Sequence, residues 1–404
     1  MLCQKVAPAH TQQFVPHVNS ISSPFFLLRP PAMALLGSSI ILAASYAFDW
    51  ALLVVLAVVG YVVNNLTPNH HAFSLVDPSI SYPLHADTVS IGIAGVVAGI
   101  APVVIILIIT LIFVPGPTVP KGTPHSLVWK RRLWELHASW LGLATSLAAA
   151  WFLTNGLKQL FGKPRPNMLA RCQPDLSNIA AHVVGGVLTA VSDGRLVTSA
   201  ICQNPDKAVV DEGFRSFPSG HTTISAAGLI YLTLLLASKL SAGIPFLHPR
   251  MFTEDETYVS AFPSRKNYQN ISSPIPLETR RASQPQSNGT GYDQTVQGEN
   301  IIAARSQAAA PPLYLIILTL FPVGTAVFIS TSRWYDFQHH GFDILVSFIA
   351  GTLFAVSSFR YYHLPISRGA GWAWGPRSKS RAFFAGIGSA SYTAHCLDTN
   401  EALV

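Results

Sequence analysis

The chain has 404 residues, 50% hydrophobic and only 11% charged, with a mean hydropathy of +0.37. Soluble domains carry about 25% charged residues, so a soluble globular protein is excluded and a membrane protein indicated. The formal net charge of +7 is scattered over connecting segments and leaves no footprint for nucleic acid, and Cys3, Cys172, Cys202 and Cys396 form neither a CxxC pair nor a Cys/His cluster, so no metal site is expected.

Residues 1–48 read as an N-terminal extension, partly apolar. Lys5 and Arg29 are the only basic side chains before residue 33, and the pattern does not favour a cleaved signal peptide. Residues 33–48 are apolar but fall short of the roughly 20 residues a span needs. They lead into the next segment, lie at the interface or add a span, and are not counted.

Six stronger spans follow, at residues 50–66, 92–114, 136–157, 222–242, 313–331 and 344–359. Asp49 marks the edge of the first. Pro102 should kink the second, which neighbouring helices tolerate. Lys239 near the end of the fourth can snorkel. The expected fold is therefore all-α, a bundle of six transmembrane helices. Residues 49–243 hold spans one to four and residues 313–362 spans five and six.

Between them, residues 244–312 are rich in Ser, Pro, Asn, Gln and Thr and read as a disordered insertion. It carries two glycosylation patterns, at Asn270 and Asn288, and an Arg280-Arg281-Ala-Ser283 match to a kinase site. Residues 363–404 read as a loose tail, in which Cys396 is a candidate for palmitoylation.

The connection 67–91 has no Lys or Arg, whereas the opposite side collects Lys130, Arg131, Arg132, Arg250, Arg265, Lys266, Arg280, Arg281 and the basic tail. The positive-inside bias then places both termini in the cytoplasm. The third and fifth connections face the lumen or the outside, where both Asn-x-Ser/Thr patterns are out of reach. On that face Cys172 and Cys202 are permitted to pair; a pair of free buried thiols is the alternative.

Three short pieces sit at the ends of these spans. Lys158-Gln-Leu-Phe-Gly-Lys163-Pro-Arg165-Pro166 leaves the third. Phe217-Pro-Ser219-Gly220-His221 enters the fourth. Ser332-Arg333-Trp-Tyr-Asp336-Phe-Gln-His339-His340-Gly-Phe-Asp343 joins the fifth to the sixth. Six alternating spans bring all three to one membrane face.

Taken singly, each has a bland reading: Lys158 and Arg165 as snorkelling cations, Ser219 and Gly220 as a helix cap, His339 as a satisfied structural histidine. Together they suit a phosphate anion, a nucleophile and a proton donor. Prolines on both sides of Arg165 stiffen its backbone, and a fixed guanidinium grips two phosphate oxygens. Backbone N–H groups at the start of a helix attract an anion. Gly220 lets the backbone approach, and the Ser219 hydroxyl adds a donor. His221 then sits where it can protonate a leaving alkoxide. Asp343 follows His339 by four positions, on the same face if the segment is helical, and a carboxylate on one imidazole nitrogen raises basicity at the other. Lys163 reads as the less essential cation, His340 as pointing elsewhere and Asp336 as structural.

The arrangement Lys-x6-Arg-Pro, Pro-Ser-Gly-His, Ser-Arg-x5-His-x3-Asp resembles the three-part signature of the type 2 phosphatidic acid phosphatase superfamily. The six-span frame is similar to its integral-membrane lipid phosphate phosphatases over roughly residues 49–243 and 313–362. The stretch Phe73-Ser-Leu-Val-Asp77-Pro-Ser-Ile-Ser-Tyr82-Pro looks like the first luminal loop of the fungal and plant branch, which includes diacylglycerol pyrophosphate phosphatases. The long 244–312 segment departs from the family pattern.

The resemblance implies a phosphomonoesterase needing no cofactor or metal. His339 would attack phosphorus with help from Asp343, and His221 would protonate the leaving oxygen. Lys158, Arg165, Ser219, Gly220 and Arg333 would hold the phosphoryl oxygens. The implied substrate is a lipid phosphate (phosphatidate, lysophosphatidate or diacylglycerol pyrophosphate) with its tails in the bilayer. The implied setting is an endomembrane (vacuole, Golgi or endoplasmic reticulum) or the plasma membrane. Alternatives are a phosphotransferase with an alcohol acceptor and a silent lipid-binding relative. The vanadate-dependent haloperoxidases share the anion pocket but are soluble. Oligomeric state is left open.

Overall fold

The computed structural model describes residues 32–116, 119–120, 122–188, 193–245, 308–369, 371–383 and 392. Most of the 244–312 segment, with Asn270, Ser283 and Asn288, lies outside the described residues, as do Cys3 and Cys396. Six helices are long and apolar enough to cross a membrane: α1 (Ala32–Asn64, with Ile40–Asn64 as its span), α2 (Ile91–Phe113), α3 (His125–Phe161), α4 (Gly220–Lys239), α5 (Leu313–Tyr335) and α6 (Gly341–Tyr362). The apolar stretch 33–48 belongs to α1, so it leads into the first span and does not add one.

Most of α4 is buried, whereas few residues of the Ile40–Asn64 part of α1 are. Small residues let the other helices close on α4. A Cβ at Gly228 would collide with the Ala98 carbonyl of α2, and one on Gly351 of α6 would lie 2.7 Å from the Ala226 Cβ. Membrane helices associate through such close approach because lipid tails are as apolar as the helix faces. Ile106, Leu143, Tyr231, Leu235 and Phe359 fill the space among α2, α3, α4 and α6. Pro102 is accommodated by a π-turn over Val96–Ile100 within α2.

A small cap sits over the helix ends that carry the three motifs. It holds short helices at Met168–Cys172 and Lys207–Gly213 and an antiparallel hairpin, β1 (Val183–Leu188) with β2 (Asp193–Val197). Its core is Phe73, Met168, Cys172, Val197, Val210 and Phe214, closed by a Cys172–Cys202 disulfide. The connection after α1 is laced into this cap. Phe73 and Val197 exchange backbone hydrogen bonds, and Tyr82 N–H donates to the Pro166 carbonyl.

At the opposite end the structure corrects two expectations. Lys239 does not snorkel. Its side chain turns inward onto the fully buried Glu135 of α3. Nor is the whole tail loose, because Ala373 N–H donates to Glu135 at 3.1 Å. Lys239 also reaches the Gly371 carbonyl at 3.1 Å. Arg377 binds Asp49 at 2.6 Å, so Asp49 is a half-buried ion-pair partner of the tail.

Candidate active site

Each motif is placed by a local stop or start signal. Gly162 caps α3 in the left-handed region (φ 56°), a conformation glycine adopts without penalty, and the chain turns back through Lys163-Pro164-Arg165. Ser219 is the N-cap residue of α4. Its N–H donates to Ser347 Oγ at 2.8 Å, and its own hydroxyl accepts from Thr222 at 3.0 Å. Between α5 and α6 the backbone enters positive φ at Phe337 (53°), whose ring stacks on Tyr82 at 4.6 Å. That turn delivers Gln338 and His339. Helix α6 then starts with His340 as N-cap and Asp343 completing a capping box.

The motifs converge. A Cβ on Gly220 would sit 3.3 Å from Lys158 Nζ. The buried His339 ring interacts electrostatically with Arg165, Lys158 and His221, and Arg333 lies within electrostatic reach of His221. Burial first, then the charges of Arg165 and Lys158, hold His339 well below the usual histidine range. It therefore stays neutral. Its Nδ1 lies 2.5 Å from the Ser216 carbonyl. A carbonyl only accepts, so Nδ1 carries the proton and Nε2 keeps a lone pair.

The cations are held but not exhausted. Arg165 donates to Gln338 and Glu212, yet its buried Nε–H has no partner among the described residues. Arg333 directs N–H groups to Asp87 (3.0 Å), Asp336 (2.6 Å) and Ser332 (3.3 Å), three of its five donors among the described residues. The Lys158 ammonium has no hydrogen-bond partner among the described residues, although its backbone carbonyl accepts from Gly162 N–H. His221 Nε2 is buried without a partner among the described residues. Buried polar groups are normally paired, so Arg165 Nε–H and His221 Nε2 have capacity left for an oxygen-bearing ligand. Glu212 keeps the cluster from excess positive charge. Burial alone would raise its pKa, but Arg165, Lys158 and Arg215 hold it at about 2. Among the described residues no group of three His, Cys, Asp or Glu is placed to hold a metal ion.

One expected contact is absent. Asp343 is not on His339. It receives Lys163 Nζ at 2.7 Å, Ser216 Oγ–H at 2.6 Å and His340 N–H at 3.2 Å. The reason is that the helix begins only after His340, so the one-turn spacing does not place His339 and Asp343 on one face. Correspondingly, Lys163 has a specific partner, and His340 faces Asp343 at 3.3 Å. Asp336 is structural as read, clamping Arg333 and Thr88.

Sequence reasoning missed Ser216, Glu212, Gln338 and the Asp87-Thr88 pair. Gln338 adjoins His339 and was legible by position. Asp87 lies 246 residues from Arg333, and its loop offered only a family likeness.

The PAP2 superfamily matches residues 139–366, a stretch that contains all three motifs. The chain is 31% identical over 201 residues to lipid phosphate phosphatase 2 of Arabidopsis thaliana, covering 49% of this chain and 58% of that protein. It is 33% identical over 197 residues to the probable diacylglycerol pyrophosphate phosphatase 1 of Schizosaccharomyces pombe, covering 48% and 59%. Diacylglycerol pyrophosphate phosphatase 1 of Saccharomyces cerevisiae is 29% identical over 202 residues, covering 49% and 61%. The chain spans about half the length of the curated relatives it matches. No solved structure matches it. Its six apolar helices and these membrane relatives make it an integral, multi-pass membrane protein. With more than half of its length inside the matched region, the chain belongs to the PAP2 superfamily.

Proposed function

We propose that the protein is a metal-independent lipid phosphate phosphatase working through a phosphohistidine. The observation that carries this reading is His339: neutral, fixed through Nδ1, and set among Lys158, Arg165 and His221. Its Nε2 lone pair attacks phosphorus. The P–O ester bond breaks, the electron pair leaves with the ester oxygen, and His221 supplies the proton. Water then attacks phosphorus and gives its proton to His221; the P–N bond breaks, its electron pair returns to Nε2, and inorganic phosphate leaves. Lys158, Arg165 and Arg333, with Ser219 and the Gly220 N–H, neutralise the equatorial oxygens, a role that electrostatic preorganisation can fill without a metal.

The site lies at the ends of membrane helices, which favours a substrate whose tails stay in the bilayer. The relatives are named for lipid phosphates and for diacylglycerol pyrophosphate, and within that class we propose phosphatidate and lysophosphatidate as further substrates. The loop charge bias and the Cys172–Cys202 bond favour the non-cytoplasmic side.

The test is phosphate release by purified protein from a panel of lipid phosphates in EDTA. Release from at least one is expected. Transfer to an added alcohol without free phosphate would indicate a phosphotransferase, and no turnover of any member would refute the proposal.

A further inference from the structure

If His339 is the nucleophile, as proposed above, something must hold its ring while phosphorus approaches, and Asp343 does not touch it. We infer that Ser216 is the positioning residue through which Asp343 acts on His339. Ser216 lies outside all three motifs and is fully buried. Its carbonyl takes His339 Nδ1–H at 2.5 Å. Its hydroxyl donates to Asp343 Oδ2 at 2.6 Å and lies 3.2 Å from His340 Nδ1. Its N–H donates to the Lys163 carbonyl at 3.1 Å. Asp343 is itself anchored by Lys163 Nζ and by the first turn of α6. The carboxylate therefore aims the residue that aims the imidazole.

The hydroxyl matters because nothing regular supports this backbone. Ser216 belongs to no helix or strand, and two residues on Pro218 has no N–H to contribute. The direction of the Ser216 carbonyl is left to two bonds, one from its own N–H and one from its side chain. Without the side-chain bond the carbonyl is free to rock, and the Nε2 lone pair rocks with it. A displacement near 1 Å from attack geometry costs up to about a hundredfold in rate. The positive charge that develops on the phosphorylated ring also falls on this carbonyl, backed by the Asp343 carboxylate. Because Ser216 is not placed to touch substrate, binding should be spared.

The experiment compares Ser216→Ala, Ser216→Thr, Ser216→Val, Asp343→Asn, the Ser216→Ala/Asp343→Asn double variant and His339→Ala with the wild-type full chain on phosphatidate. Ser216→Ala should lower kcat about tenfold or more with KM within about twofold, and Ser216→Thr should restore kcat. Thr and Val share a shape, so their kcat ratio reads the hydroxyl even if the alanine variant fails to accumulate. Asp343→Asn should add less than about twofold in the Ser216→Ala background, because the two side chains act as one unit. A Ser216→Ala kcat within about twofold of wild type, equal Thr and Val variants, or multiplicative single effects would overturn the relay. His339→Ala separates the two claims. If it is inactive while Ser216→Ala is normal, only the relay fails. If it is active, the phosphohistidine reading fails and takes the relay with it.

Discussion

Replacing Arg165 with alanine isolates the phosphate grip from the fold. The residue is 6% exposed, its side chain pinned by Gln338 and Glu212, with Nε–H unpartnered among the described residues. Losing one preorganised donor to transition-state charge costs about 2.7–4 kcal/mol, or roughly 10²–10³ in rate. A charged two-point fork places Arg165→Ala at the upper end, near a thousandfold. The fold should lose much less. Glu212, the carboxylate left behind, has a side chain 38% exposed and keeps Arg215 at 3.3 Å, so the ~3–5 kcal/mol for orphaning a fully buried charge does not apply. A loss of about 1 kcal/mol, typical of solvent-screened pairs, is expected. Arg165→Lys keeps the charge but cannot fork and should fall between. The assay is phosphate release from dioleoyl phosphatidate in detergent micelles, with matched amounts of monodisperse protein. Arg165→Ala activity within tenfold of wild type, in folded protein, would refute the assigned grip.

His339 is held neutral by burial and by Arg165 and Lys158, so the nucleophile stays available below the ordinary histidine value of about 6.5. The acid limb of kcat should therefore fall below about pH 6.5, and a limb at or above that value would contradict the assignment. The same depressed pKa means that the unfolded chain takes up the proton first, so acidification below about 6.5 should also lower stability. Removing the Cys172–Cys202 bridge, which closes a loop of 30 residues, should destabilise the cap by about 3–4 kcal/mol on loop entropy. The check is a lower midpoint of heat inactivation in the Cys172→Ala/Cys202→Ala variant, and an unchanged midpoint would show that the bond carries no load.

What could be read from the sequence follows from where the physics is local. A bilayer forces about 20 apolar residues into a helix, so all six spans were visible from residues 50 to 362. The motifs were visible because phosphate chemistry needs cations, histidines and a helix start within a few positions of one another. Contacts between distant charges were not visible. Lys239 was read as snorkelling because its partner Glu135 lies 104 positions away. Asp87 gave no hint of Arg333. The Asp343–His339 pairing was misjudged at a helix boundary. Starting α6 at Gly341 rather than one turn earlier sends the carboxylate to Ser216, His340 and Lys163 instead. The cap hairpin, in a stretch with Gly185 and Gly186, was overlooked because a two-stranded element has little apolar periodicity to display.

The central claim is that His339 carries the phosphoryl group between substrate and water. The most direct measurement is an alkaline-quenched reaction with phosphate-labelled phosphatidate in EDTA, followed by peptide mapping. Label on the peptide containing His339, chased by water and lost in His339→Ala, is the predicted result. Turnover with no labelled enzyme at any quench time, or with label on another residue, would contradict it.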